Sequence, residues 1–238
     1  MSDLLVVRHA QASMFADDYD QLSKLGIQQA KQLGAAWATA GSSLEAVYSG
    51  PRQRHLETAK IVREVYESRG LSFPEITIIQ ELDEHQIDLA TLQLLDEPSA
   101  IPELTPLITA YQGRSATDHE RARDFQRLFE TVAEKWCLGT PLLNNIESWS
   151  DFRARVRDAI RHIRERQSNG RRVAVFTSVG PISVFFQVAT QCSDSVALQT
   201  GWRVRNTSLS KFLFSGNRFT VDLFNSTAHL PSDWVTYR

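Results

Sequence analysis

Short apolar runs alternate along this chain with longer segments whose apolar residues recur every three or four positions. The run Leu-Leu-Val-Val at residues 4–7 stops at a charge, as a buried parallel strand does. The segment at residues 25–40 has the apolar spacing of a helix face, and Ser23 is predicted to cap that helix. This alternation predicts an α/β fold with three layers, α/β/α, and a mostly parallel central sheet, with a late hairpin around residues 215–217.

The middle of the chain breaks this alternation. Pro98, Pro102 and Pro106 follow one another closely, and we expect no long regular element between residue 85 and about residue 117. A helix with one apolar side is predicted over residues 118–136. We interpret residues 85 to about 145 as a helical insertion in a single domain that spans residues 1–238, lying over the edge of the sheet that carries the site predicted below.

Charge and composition exclude several classes of protein. The chain has 238 residues, with 26 basic and 28 acidic side chains and a formal net charge of −2. So balanced a charge favours neither nucleic acid nor an anionic membrane as partner. No apolar stretch is long enough to span a bilayer, and the N-terminus has no signal-peptide core. Cys137 and Cys192 fit reduced thiols better than a disulfide scaffold, so we expect a cytoplasmic protein.

The residues directly after each apolar run are the candidates for a functional site, because ligands bind at the carboxyl ends of the strands in open α/β sheets. In chain order they are Arg8, His9, Gln11, Arg52, Arg54, Glu81, Glu84, Ser178, Val179 and Gly180. Guanidiniums bind phosphate bidentately, an imidazole can attack phosphorus, and a carboxylic acid can protonate the leaving oxygen. The set predicts phosphoryl transfer.

The Arg-His dipeptide occurs three times, as Arg8-His9, Arg54-His55 and Arg161-His162. The first follows four apolar residues and precedes a loop, which is the position of a ligand-binding residue. The third lies within a predicted regular helix and is interpreted as surface decoration. His9 is therefore the histidine that we expect in the site.

Residues 5–9, Leu-Val-Val-Arg-His, resemble the signature motif of the histidine phosphatase superfamily, in its phosphoglycerate mutase-like branch. The family usually has glycine where this chain has Ala10. Further similar segments follow in the family's order, at residues 22–34, 49–59, 82–85, 206–210 and 228–230. The resemblance spans residues 4–230 except most of the insertion.

This resemblance implies a role for each candidate residue. His9 would form a phosphohistidine, with Arg8 and Arg54 holding the phosphoryl oxygens. Glu84 would act first as the general acid and then as the base that activates water. Gln11 and the residues at 178–179 would also contact the phosphate.

The chain departs from the family pattern after its late core strand, where the family has a second histidine and this chain has Ser178. Serine can donate one hydrogen bond but brings no positive charge, and losing a preorganised donor typically costs ~10²–10³ in rate. Backbone N–H groups at residues 178–180 open a predicted helix and favour an anion, and His55 or His85 is an alternative imidazole. We expect phosphate binding to survive better than turnover, and Ser178→His to raise turnover.

Two functions of one fold follow from this. The first is a phosphomonoesterase with weakened or atypical activity, acting on a phosphorylated small molecule. The alternative is a non-catalytic protein that binds phosphate or a phosphoester. A phosphoglycerate mutase is disfavoured, because the stretch at residues 12–20 is acidic and the chain has no lysine or arginine there before Lys24.

Other kinds of site find little support in the sequence. The arginines at residues 153–172 would suit an RNA-binding module, but Asp151, Asp158 and Glu165 are interspersed and favour a solvated helix face. No metal-ligand spacing and no glycine-rich nucleotide signature is present, so no metal and no cofactor are predicted. Ser178 is a poor candidate for a hydrolase nucleophile, because Phe176 stands at the first glycine of the Gly-x-Ser-x-Gly motif. The oligomeric state is not readable from the sequence.

Overall fold

A six-stranded sheet is the core of the fold in this computed structural model, which describes residues 1–13, 20–113, 118–167 and 170–237. The strands are β1 (Ser2–Arg8), β2 (Ala46–Ser49), β3 (Ile76–Ile78), β4 (Arg172–Thr177), β5 (Leu209–Ser215) and β6 (Arg218–Ser226). Their order in the sheet is β3-β2-β4-β1-β5-β6. The first four strands are parallel, whereas β5 is antiparallel to β1 and β6 to β5. The predicted α/β fold with a mostly parallel sheet is confirmed.

Helices connect and cover these strands. They are α1 (Lys24–Thr39), α2 (Gln53–Ser68), α3 (Ile87–Asp96), α4 (Thr105–Gln112), α5 (Asp118–Cys137), α6 (Trp149–Arg166), α7 (Val179–Thr190) and α8 (Asp194–Gly201). The predicted cap of α1 is confirmed, because the Ser23 hydroxyl accepts from the Gly26 N–H at 3.0 Å. Within the described ranges, no helix is long and apolar enough to cross a membrane.

The chain divides into two compact units, one formed by Met1–Glu84 with Arg155–Arg238 and the other by His85–Ala154. The first unit contains the whole sheet. One of its core clusters includes sheet residues such as Val7 and Phe176 and residues of α1 and α2 such as Trp37 and Tyr66. Strand β1 is buried along nearly its full length, which explains why it reads as a continuous apolar run.

The second unit is helical. We expected no long regular element before residue 117, and the helices in that segment are short, with 10 residues in α3 and 8 in α4. Pro98 and Pro102 begin short 3₁₀ turns, and Pro106 lies in the first turn of α4. Because the first turn of a helix has no partner for its N–H groups, proline fits there. These prolines start helical turns rather than preventing them.

The chain after β4 follows the prediction in part. Pro181 lies in the first turn of α7, and β5 and β6 form the predicted hairpin. Helix α8 was not predicted. It is short and its apolar residues show little periodicity, although the Ser193 hydroxyl caps it by accepting from the Val196 N–H.

Candidate active site

The central strands β1 and β4 bring His9 and Ser178 together at one edge of the sheet. The two strands are parallel, and their register pairs Arg8 with Thr177, so each strand is followed by a candidate residue at the same level. The His9 N–H also donates to the Thr177 carbonyl at 2.8 Å. The carboxyl ends of these strands therefore form the floor of the candidate site, as open α/β sheets require.

The His9 ring has one defined tautomer. Its Nδ1 lies 2.7 Å from the Ala10 carbonyl oxygen, and since a carbonyl only accepts, Nδ1 carries the ring proton. The lone pair is then on Nε2, which accepts from Arg54 Nε at 3.2 Å. Burial lowers the pKa of His9 well below its usual value, and the charges of Arg54 and Arg8 lower it further. In this neutral form Nε2 can attack phosphorus once the Arg54 donor turns away from its lone pair.

Arg54 lies in the first turn of α2 and is 4% exposed. Besides its bond to His9, its Nη1 donates to Asp20 Oδ1 at 2.8 Å. The other oxygen of Asp20 accepts from the Gln53 N–H at 2.7 Å, at the N-terminus of the helix. Asp20 is a site residue that the sequence did not single out. Asp17 and Asp18, from the same acidic stretch, lie outside the described residues.

Arg8 is the last residue of β1, and its guanidinium is held by the backbone. Its Nη1 donates to the carbonyl oxygens of Val204 and Tyr237, at 2.5 and 2.7 Å. Its charge is close enough to lower the pKa of His9. Both predicted guanidiniums therefore act on His9. Arg54 donates a hydrogen bond to its ring, and the charge of Arg8 lowers its pKa.

Glu84 follows a short 3₁₀ turn after β3 and is 8% exposed. Both of its carboxylate oxygens accept from the Gly180 N–H, at 3.0 and 3.3 Å. We expected the N–H groups at residues 178–180 to receive a bound anion. The correction is that the protein's own carboxylate takes the Gly180 N–H, while Val179 begins α7 directly before it.

Arg155, on α6, holds the backbone on which Glu84 sits. Its Nη1 donates to the Glu81 and Asp83 carbonyls at 2.9 Å each, and its Nη2 to the Glu84 carbonyl at 3.5 Å. We interpreted the arginines of this helix as a solvated face, and for Arg155 that interpretation is wrong. The sequence carried no signal, because the acceptors are backbone carbonyls more than 70 residues earlier in the chain.

The loop after His9 is anchored by side chains on both sides. The Ala10 N–H donates to Thr58 Oγ1 at 3.0 Å. The His9 carbonyl accepts from Asn206 Nδ2 at 3.2 Å and from the Thr207 N–H at 3.3 Å. Thr207 has a φ of 52°, a left-handed conformation that is uncommon for a β-branched residue. These contacts fix the position of the candidate nucleophile.

Gln11 ties the same loop to the start of α1. Its side-chain oxygen accepts from Ser23 Oγ at 2.7 Å, and its N–H donates to Gln29 Oε1 at 2.9 Å. Its contact with a phosphate stays a prediction.

The two histidines considered as a second imidazole lie in different surroundings. His55 is fully buried, with its ring centroid 5.6 Å from that of His9 and its Nε2 2.5 Å from Ser178 Oγ. The ring of His85 packs against Trp136 and Phe152 in the helical unit, at 5.4 and 5.8 Å. His55 is therefore the one that the structure places beside His9 and Ser178.

No group of three or more histidine, cysteine, aspartate or glutamate side chains in the described part of the chain could hold a metal ion.

Comparison with known proteins identifies the family of this chain. The family model described as histidine phosphatase superfamily (branch 1) matches residues 4–127 and 108–227. The chain belongs to that superfamily. A sequence comparison with curated proteins gave no match.

Solved structures share the fold at low sequence identity. YhfR of Bacillus stearothermophilus is 20% identical with a TM-score of 0.65, over 96% of this chain and 99% of that one. A mutant phosphoserine phosphatase from Entamoeba histolytica, in complex with phosphoserine, is 16% identical with a TM-score of 0.63, over 97% and 100%. A mycobacterial glucosyl-3-phosphoglycerate phosphatase, in complex with inorganic phosphate, is 16% identical with a TM-score of 0.61, over 96% and 99%.

Proposed function

We propose that this chain hydrolyses phosphomonoesters through a phosphohistidine formed on His9. The observation that carries the proposal is the neutral His9 ring, with its proton on Nδ1 and its lone pair on Nε2 beside Arg54. In the first step Nε2 bonds to phosphorus, the bond to the leaving oxygen breaks, and the Glu84 carboxylic acid gives that oxygen its proton. In the second step the Glu84 carboxylate takes a proton from water, whose oxygen displaces Nε2 from phosphorus.

The charges around His9 support this assignment. Arg54 and Arg8 bring two permanent positive charges to a buried histidine, where charge on a phosphoryl group would be stabilised more strongly than in water. Ser178, Val179 and Gln11 complete the proposed phosphate-binding set. The proposed chemistry uses side chains of this chain alone.

We further propose that turnover is weakened. Ser178 stands in the position after β4 where the family pattern has its second histidine, and a hydroxyl has no positive charge. Replacing a charged donor at a phosphoryl group typically lowers the rate by ~10²–10³. Phosphate binding depends less on this donor, because the ground state develops less charge than the transition state.

A non-catalytic phosphoester-binding protein is the second candidate. The bond between Arg54 and Asp20 favours it, because a carboxylate already occupies part of the guanidinium that would stabilise a transition state. In this case the chain would bind phosphate without forming a phosphohistidine.

A phosphorylated small molecule is the proposed ligand class. Two structural neighbours, described as phosphatases, were solved with phosphoserine and with inorganic phosphate. We place the activity with these phosphatases rather than with phosphoglycerate mutase, another neighbour of the same fold. We also propose that residues 1–238 act as one domain in the cytoplasm. The free thiols of Cys137 and Cys192 support that compartment.

Hydrolysis of an aryl phosphate by the native chain and by His9→Ala tests the proposal. We expect measurable turnover that falls at least 10²-fold in the variant, because the nucleophile is removed. His162→Ala is the matched control, since His162 follows an arginine on α6 but is exposed, and its turnover should equal the native value.

Acid-labile trapping of labelled phosphate on the native chain, but not on His9→Ala, would identify the intermediate. Phosphate binding with neither turnover nor a trapped phosphohistidine would favour the binding protein instead. Equal turnover in the native chain and His9→Ala would refute both roles of His9.

A further inference from the structure

His55 is a fully buried histidine that the proposed reaction does not use. It follows Arg54 on α2, and its ring faces that of His9 at a centroid distance of 5.6 Å with a tilt of 38°. A fully buried histidine in a helix could be an ordinary packing residue. The arrangement here differs, because this ring lies next to the candidate nucleophile and contacts a second residue of the site.

That second residue is Ser178, whose Oγ lies 2.5 Å from His55 Nε2. Ser178 joins β4 to α7 and stands beside His9 through the register of β1 and β4. A serine and a histidine that are 123 residues apart in the chain thus form one hydrogen bond. Both side chains have no solvent-exposed area, so the bond has no competition from bulk water.

The backbone at Gly50 closes one side of the space that the His55 imidazole occupies. A Cβ built on Gly50 would lie 2.5 Å from His55 Nδ1, closer than real Cβ atoms approach another atom. Any side chain at Gly50 would therefore displace the ring. The ring is held between Gly50 on one side and Ser178 on the other.

We infer that His55 is a positioning residue that acts through Ser178, making the serine hydroxyl a donor to the phosphoryl group when an anion enters the site. This rests on the proposed function. Before an anion binds, the Ser178 hydroxyl donates a hydrogen bond to Nε2 of neutral His55. When a phosphoryl dianion binds, His55 Nε2 takes up one proton from solvent and keeps it, donating a hydrogen bond to Ser178 Oγ. The serine hydroxyl then turns its own hydrogen towards a phosphoryl oxygen.

The charges that face His55 determine when this proton is taken up. Burial, with the positive charges of Arg54 on its own helix and of Arg52 directly before that helix, lowers the pKa of His55 well below its usual value. His9 faces it from the end of β1, and Glu84 binds the Gly180 N–H just beyond Ser178. A bound dianion opposes the arginine charges, so proton uptake by His55 is coupled to phosphate binding.

This geometry changes the expectation for Ser178→His. We expected that substitution to raise turnover, but Ser178 Oγ is already in contact with the His55 ring and has no exposed area. A second imidazole there would overpack the site. The paired change, His55→Ala with Ser178→His, removes one ring and so makes room for the other. It places the imidazole at position 178 instead of position 55.

Turnover of an aryl phosphate by His55→Gln, Ser178→Ala and the double variant tests the relay. Glutamine keeps a hydrogen-bonding group but cannot take a proton, so we expect kcat to fall roughly 10- to 100-fold with a smaller change in KM. Since His55 acts through Ser178, the double variant should be no slower than the slower single variant. The His55→Ala/Ser178→His variant should recover most of the loss.

Proton uptake on binding inorganic phosphate distinguishes the relay from a structural role. If His55 only supported the fold, replacing it would leave that uptake unchanged. Calorimetry near neutral pH, in buffers of different ionisation enthalpy, should show more proton uptake by the native chain than by His55→Gln. His162→Ala should match the native chain. Thermal unfolding of each variant separates loss of the fold from loss of the relay.

The outcomes distinguish this inference from the proposed function. If His9→Ala abolishes turnover while His55→Gln matches the native chain in kcat and proton uptake, the relay is wrong and the phosphatase stands. If the double variant is much slower than either single variant, His55 acts independently of Ser178, and the relay is also wrong. If the native chain neither binds nor hydrolyses phosphoesters, both fail together.

Discussion

Arg54 shows how one side chain can serve two partners in this site. Its Nε donates to His9 Nε2, and its Nη1 to Asp20 Oδ1. The first contact orients the candidate nucleophile. The second places a carboxylate on the guanidinium that is proposed to bind a phosphoryl oxygen. Asp20 is 31% exposed at its side chain, so an entering anion can compete with it from the solvent side.

Asp20→Asn should therefore strengthen phosphate binding. Removing the charge abolishes competition for Arg54 while keeping a side chain of the same shape, and we expect the Kd for inorganic phosphate to fall about 3- to 10-fold. Isothermal titration calorimetry measures it. Asp158→Asn is the control, because Asp158 forms a bond of the same 2.8 Å length to Arg161 on exposed α6. Weaker binding in Asp20→Asn would mean that Asp20 orients Arg54 instead of competing for it.

Among the secondary-structure elements, helix α6 supports the segment that carries Glu84. The turn Gln80–Leu82 is a short 3₁₀ element with few bonds of its own. The Thr177 hydroxyl donates to the Leu82 carbonyl at 2.8 Å, and Arg155 binds the carbonyls around it. A sheet strand and a helix thus fix a segment that could not hold its conformation by itself.

Arg155→Ala should lower kcat about 10-fold and leave KM nearly unchanged, because Glu84 is expected to move protons without holding the substrate in the ground state. Steady-state kinetics with an aryl phosphate provide both constants. Arg157→Ala, two residues along the same helix and exposed, should retain native kinetics. An equal rise in KM with unchanged kcat in Arg155→Ala would place Arg155 in substrate binding.

At the scale of the whole molecule, buried histidines make stability depend on pH. The pKa values of His9 and His55 lie well below the usual value, and burial lowers the pKa of His229 to about 4. In the unfolded chain these rings titrate near 6.5. Above that pH the rings are neutral in both the folded and the unfolded chain, so their contribution to the free energy of unfolding does not change with pH. As the pH falls towards the folded pKa, the unfolded chain binds protons that the native state refuses, so the free energy of unfolding decreases.

His229→Gln should flatten this acid-side decrease, since it removes one such ring outside the proposed catalytic set. The native chain should lose roughly 2 kcal/mol more than the variant between about pH 7 and about pH 5. Urea unfolding at both pH values measures the difference. The variant keeps a polar group near Thr207, the hydrogen-bond partner of His229, so its stability at neutral pH is the control for lost packing. An identical loss in both chains would show that His229 titrates normally in the fold.

Local patterns predicted the features that depend on neighbours in the sequence. The apolar run of β1, the Ser23 cap and the hairpin of β5 and β6 each arise from a few consecutive residues, and the structure contains all three. The same reasoning did not locate α3 and α4, because it assigned their segment to a helical insertion without placing individual helices. It also missed α8, whose apolar residues have no clear period. Short helices depend on packing more than on propensity, which limits any local prediction of them.

The site likewise contains residues that the sequence indicated and contacts that it did not. Strand ends and residue chemistry pointed to a wider set that included Arg8, His9 and Ser178, because a parallel sheet must bring the ends of its strands to one edge. The family resemblance then selected Arg54 and Glu84 from that set. The sequence did not point to Asp20, Arg155 or the pairing of His55 with Ser178. These contacts join residues 34, more than 70 and 123 positions apart. Their partners include backbone carbonyls, which every residue carries.

The amino-acid sequence by itself determined which side chains end the strands and that their chemistry suits phosphate, because hydrophobic periodicity and charge are properties of consecutive residues. Only the tertiary structure decided which nitrogen of His9 carries the proton, which carboxylate rests on Arg54, and that a second imidazole lies against Ser178. Hydrogen bonds are short and directional, and burial sets their strength. They therefore follow from the register of strands and the packing of helices, and neither is written in any one segment of the chain.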